Sequence, residues 1–148
     1  MDVQRQRVTL ADPPPASPTT SGAVAADISN AVVRLVREHF GKGPTQAKTV
    51  VHDDMVVTMM RGGFTHAEKT LYRAGKGDVV DEGRRAMQEV FQREMSAAIE
   101  QLTGRRVEAF LSANHHDPDI TVEMFVLTPG DAATNGSRPP EVDERRAG

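Results

Sequence analysis

The chain has 148 residues, 38% hydrophobic and 26% charged, with a formal net charge of −3, a balance that suits one soluble domain with a modest core. Having no cysteine, it excludes a disulfide framework, thiolate metal sites and cysteine nucleophiles; no apolar run approaches the roughly 18 residues of a membrane span. No basic stripe interleaved with aromatics is present, so nucleic acid is not an expected partner. The pairs Arg84-Arg85 and Arg105-Arg106 read as a solvated helix face and a strand entry. Seven Met against one Tyr and no Trp give a core of aliphatic side chains and Met, a residue suited to irregular packing and to contact surfaces.

Residues 1–22, "MDVQRQRVTLADPPPASPTTSG", combine four prolines with little apolar surface and are expected to form a disordered tail. They contain no apolar secretory segment, and the chain is read as cytoplasmic. The same composition argument makes 129–148 a second tail and leaves 23–128 as the folded domain. A first helix is expected over 24–40, where Ile28, Val32, Leu35, Val36 and Phe40 share one face. "GKGP" ends it as a C-cap followed by a proline; it lacks the spacing of a nucleotide-binding phosphate loop. Ala47, Thr49 and Val51 then alternate with Gln46, Lys48 and His52 before an Asp53-Asp54 turn into the apolar strand of residues 55–60. That strand is apolar on both sides, so each of its faces needs a cover. His52 at the strand end is expected to be exposed.

Thr65 and Glu68 in "THAEKTLYRAG" have the spacing of a capping box, with His66 solvated in the first turn and Gly75 closing a short helix. Asp78 is expected to cap the next helix, which runs to about Thr103 with a stripe of Val80, Met87, Val90, Phe91, Met95, Ala98 and Leu102, and which Gly104 stops. A final hairpin pairs "RRVEAFLSA" with "DITVEMFVL". Val107, Ala109 and Leu111 face one way on its first strand, as do Ile120, Val122, Met124 and Val126 on its second, with Phe110, Phe125 and Leu127 opposite. Both sides are apolar again, and a homodimer is expected. The whole predicts an α+β two-layer sandwich, in the order αββααββ, with helices on an antiparallel four-stranded sheet.

"NHHDPD" at the tip of this hairpin is the one cluster with ligand chemistry: His115, His116, Asp117 and Asp119 offer imidazole nitrogens and carboxylate oxygens. Adjacent histidines on a strand point to opposite faces, no helical metal motif completes the set, and Pro118 with its flanking aspartates suits a turn. The four residues are therefore a candidate binding turn, with no metal, cofactor or catalytic residue assigned. No nucleophile elbow is present, and Asp53-Asp54 is accounted for by its turn.

Taken in order, "FGKGPTQAKTVVHDDMVV", "GGFTHAEKTL" and "LTGRRVEAFLSANHHDPDITVEMFVL" resemble the small bacterial domain family MpsC, the third component named in a sodium-translocating, membrane-potential-generating system. The resemblance spans about 24–128 and draws attention to Gly43-Pro44, Gly62-Gly63, Thr65, Glu68 and the Asp117-Pro118-Asp119 turn. It implies a soluble, non-enzymatic accessory or regulatory subunit of a membrane sodium or inorganic-carbon system, held at the inner face of the membrane by a membrane transport protein without inserting in lipid. The alternative is a small metal-dependent enzyme or ligand sensor built on the turn at His115–Asp119.

Overall fold

The computed structural model describes residues 20–130. The elements follow the expected order: α1 (Thr20–Phe40), β1 (Gln46–His52), β2 (Met55–Arg61), α2 (His66–Arg73), α3 (Gly77–Thr103), β3 (Val107–His115) and β4 (Ile120–Leu127). Helix α1 begins at Thr20, four residues earlier than the apolar spacing implied, so residues 20–22 belong to the helix and not to a tail. The remainder of the two expected tails, 1–19 and 131–148, lies outside the described residues. Thr65 and Glu68 make the capping box in both directions, Glu68 amide to Thr65 Oγ1 at 3.2 Å and Thr65 amide to Glu68 Oε1 at 2.9 Å. Gly104 ends α3 in the left-handed conformation at φ 69°.

Asp78 does not cap α3: it stands in the first turn, Lys76 is the cap residue, and no side-chain cap bond forms. Gly77 is the reason for the tight entry, since a Cβ there would meet Cε1 of the Tyr72 ring at 2.7 Å. Val90, assigned to the buried stripe, is 67% exposed. The stripe runs through Val80, Arg84, Phe91, Met95 and Ile99, and Val90 lies about 100° around the helix from Phe91.

All neighbouring strands are antiparallel, in the order β1-β2-β4-β3. Helices α1 and α3 pack on each other and cover one face of this sheet; Ile28, Val32, Leu35 and Val36 of α1 meet Phe91, Met95 and Ile99 of α3 over Val56, Met60, Phe125 and Leu127. A register shift between Val107 and Ala109 corrects the expected side-chain sorting on β3. Val107 and Phe110 both pack against the helix-side core, whereas Ala109 and Leu111 face outward, because one extra residue at a bulge reverses the alternation.

The register gives three complete cross-strand rows on the helix side of the sheet and four on the outer side. On the helix side they are Ala47-Met60-Thr121-Asn114, Thr49-Thr58-Glu123-Ser112 and Val51-Val56-Phe125-Phe110. On the outer side they are Gln46-Arg61-Ile120-His115, Lys48-Met59-Val122-Ala113, Val50-Val57-Met124-Leu111 and His52-Met55-Val126-Ala109. The covered face thus has a wholly polar middle row, while one of the two inner rows of the uncovered face is wholly apolar.

Candidate functional site

The polar groups of the molecule converge at the end of the sheet where β2 leaves and β4 enters. Their centre is Arg84 of α3, which is 4% exposed, contrary to the solvated position expected for it. Its guanidinium lies 4.0 Å from the ring centre of Phe64 and 4.7 Å from that of Phe40, and it uses its planar fork fully. Nε and Nη2 donate to the two oxygens of Glu68 at 2.5 and 2.8 Å, Nη2 also donates to the Gly63 carbonyl at 3.1 Å, and Nη1 donates to Asn114 Oδ1 at 3.2 Å. Burial by itself raises the Glu68 pKa, but bonds from Arg84 and from the Thr65 amide outweigh it and hold the carboxyl below its usual range. One side chain therefore joins the α2 capping box, the β2–α2 loop and the end of β3.

The "NHHDPD" turn serves the same junction. Asp119 accepts from the amides of Gly63 and Phe64 at 3.2 and 3.1 Å, and its carbonyl accepts from Gly62 at 3.3 Å. His116 stacks on Tyr72 with ring centres 3.7 Å apart and meets Phe64 edge-on. The His115 ring is turned back to its own loop, with Nδ1 2.8 Å from the Pro118 carbonyl, and the Asp117–Pro118 peptide is cis. Asp117 is exposed. The four candidate residues thus share a turn but not a ligand point, and among the described residues no three His, Cys, Asp or Glu side chains gather where they could hold a metal ion. Tyr72 in turn donates to Asp81; burial and that carboxylate push its hydroxyl up to about 12.

The other quoted stretches arrive here too. Lys42 of "GKGP" donates to the Phe64 carbonyl at 3.0 Å. Gly62 holds φ 70° with the Thr45 side chain directly behind it, so a Cβ there has neither the conformation nor the room. Arg105 builds a second, smaller clamp at the opposite end of the sheet, donating to Asp54 Oδ1 at 2.6 Å and to the carbonyls of Asp53 and Thr128.

Beneath Arg84 lies Glu123, 2% exposed. Its Oε2 has no hydrogen-bond partner among the described residues. It borders a cavity of about 10 Å³ shared with Arg84, Gln88, Asn114 and Thr121, room for about one water molecule. Burial pushes the Glu123 carboxyl up to about 7, opposed by a hydrogen bond from Ser112 and the charge of Arg84. The polar row continues on both sides of it. Ser29 Oγ, Thr49 Oγ1 and Thr58 Oγ1 are linked at 2.6 and 2.9 Å, and Gln88 donates to Ser112.

Arg84 reads from the sequence as part of a solvated helix face and Glu123 is not singled out there, yet both left a signal of burial. Arg84 sits four residues after Val80 and seven before Phe91, on the buried phase of α3. Glu123 alternates with Thr121, Phe125 and Leu127 on the covered face of β4. A charged residue in phase with a buried stripe is the informative kind of exception.

A family described as "Na+-translocating membrane potential-generating system (MpsC)" matches residues 20–129, which include all seven helices and strands of the described residues. The chain belongs to that family. The MpsC domain described here is also similar to an uncharacterized protein, YrhF, of Bacillus subtilis (strain 168), with 26% identity over 103 residues that cover 68% of this chain and 84% of the relative. No solved structure matches it. Parts of the three stretches that carry the resemblance, Lys42, Gly63 to Glu68 and Asn114 to Asp119, close around Phe64 and Arg84. No helix among the described residues is long and apolar enough to cross a membrane.

Proposed function

We propose that this MpsC domain is a non-enzymatic accessory or regulatory subunit. It works as a soluble homodimer and docks at the cytoplasmic face of a membrane protein in a sodium or inorganic-carbon, membrane-potential-generating system. The observation that carries this reading is how the ionisable groups are used. Arg84, Glu68, Asp119 and Lys42 are each spent on backbone or side-chain bonds that hold the fold, while large apolar side chains remain uncovered. A domain built this way is suited to contact and not to turnover. Family membership supplies the class of system, and a chain without a spanning helix takes its place in such a system through a partner.

The reading on which the turn is a metal-dependent or ligand-sensing site has less support. Asp119 is committed to two amides, His116 to a stack and His115 to its own loop. The deciding experiment is crosslinking in the native host followed by membrane fractionation. The expected result is recovery of part of the chain with one membrane protein, unchanged by deletion of residues 1–19. Recovery in the soluble fraction alone, with stoichiometric metal that is lost on His115→Ala/His116→Ala, would transfer the assignment to the turn.

A further inference from the structure

We infer that the outer face of the sheet is the surface on which two copies of this chain meet, face to face. This rests on the dimer reading above and names its interface. In a two-layer domain working alone, the covered face holds the apolar residues and the open face the polar ones. Here one inner row on each face is the reverse: Thr49-Thr58-Glu123-Ser112 lies under the helices and Val50-Val57-Met124-Leu111 lies outside. Val50 and Leu111, at the two ends of that outer row, are 51% and 53% exposed, and Met55 beside it is 42% exposed. The flanking rows add Met59 and Val122 on one side and Val126 on the other, whereas Lys48 and His52 stand on the edge strand β1 and the largely polar row Gln46-Arg61-Ile120-His115 forms one end of the face, where their polar ends can reach water.

Size agrees with a second copy as the occupant. Four strands about 4.8 Å apart and seven residues long at about 3.3 Å each make a face of roughly 440 Å² in projection. Two such faces bring together about 880 Å² in projection, to which side-chain relief adds, close to the roughly 1,000 Å² that a specific interface clears. Self-complementarity agrees as well. A two-fold axis through the centre of the Val50–Leu111 row, between β2 and β4, lays this row across its own copy at the shallow angle at which twisted sheets pack. The segments outside the described residues are poor covers, since 1–19 and 131–148 contain only Met1, Val3, Val8, Leu10 and Val142 as large apolar residues. A charged lipid surface is a poor match too, because Lys48 and Arg61 are the only Lys or Arg side chains in the outward positions of the four strands.

Light scattering on the full chain, coupled to size exclusion at about 50 µM, tests the inference. Two substitutions accompany it: Met124→Lys at the centre of the face, and Leu111→Lys on the edge strand, where half-exposure protects the fold. The expected result is twice the 16.1 kDa chain mass for the unmodified protein. Both variants should associate at least roughly 30-fold more weakly and run as folded monomers with unchanged far-ultraviolet circular dichroism. A dimer untouched by Leu111→Lys would overturn the choice of face and leave the dimer standing. An unmodified chain that is monomeric at this concentration would overturn both, without bearing on recovery with membranes.

Discussion

Glu123 and Arg84 give the residue scale its two sharpest consequences. The Glu123 carboxyl titrates near 7 in the folded chain against an ordinary value of 4.5, so between those values the folded state binds the extra proton. Stability then falls as pH rises through this window and levels off above it. Glu123→Gln removes the titration while keeping the shape. The expected result is a gain of roughly 2 to 3 kcal/mol at pH 8 and almost none at pH 4.5, read from urea unfolding at both values; an equal effect at both would assign the change to packing. Arg84 works in the opposite sense. Arg84→Met leaves Glu68 half-buried without its partner and should cost about 3 to 5 kcal/mol, part of which Glu68→Gln in the same chain returns. Arg84→Lys should recover little, because an ammonium cannot span Glu68, Gly63 and Asn114 as the planar fork does.

At the scale of elements, local devices set where each helix and strand begins, and packing sets which way it faces. The eight-residue helix α2 has no fully buried residue, and a helix this short is not stable by propensity. It is held by its capping box and by the Arg84 fork on Glu68. Thr65→Ala is therefore expected to cost about 1 kcal/mol overall and to raise amide exchange in α2 well before the sheet is affected. Uniform loss of protection across α2 and the sheet would show instead that α2 opens only with the whole domain. On α3, Phe91 is buried and Val90 is exposed. Phe91→Ala should cost about 3 to 5 kcal/mol and Val90→Ser less than about 0.5, and thermal unfolding of the two variants compares them directly.

For the whole molecule, the face-to-face dimer proposed above would tie stability to concentration. Each copy that seats on the face withdraws folded monomer, so the melting temperature should rise with protein concentration. Leu111→Lys should abolish that rise. A melting temperature independent of concentration from 1 to 100 µM would argue for a lone domain. Acid acts at the other end of the chain's range: Glu68 is held below its usual pKa by Arg84 and Thr65, so the stability it contributes is present above the ordinary carboxylate value and is lost as pH falls below it. With Glu123 losing stability upward and Glu68 losing it downward, the optimum is expected on the mildly acidic side of neutral.

The sequence by itself determined the element order, the two hairpins, the capping box and the alternation that splits every strand into two faces. Each of these depends on residues a few positions apart, through 3.6-residue and two-residue periods and through turn and cap chemistry. The resemblance carried by three quoted stretches likewise reached the family. Only the tertiary structure decided the strand order β1-β2-β4-β3, because pairing between β2 and β4 joins residues 59 to 71 positions apart and nothing local specifies it. Only there did the bulge at β3 place Val107 beside Phe110, and only there did Asp119 reach the amides of Gly63 and Phe64. The "NHHDPD" turn is legible as polar and turn-forming, but its use as a buckle for a loop 55 residues upstream depends on where the sheet puts it. Arg84 read as one of two solvated arginines for the same reason. Whether a charge on a helix faces water or a partner is settled by what packs against it, and for Arg84 that partner set comes from four separate segments of the chain.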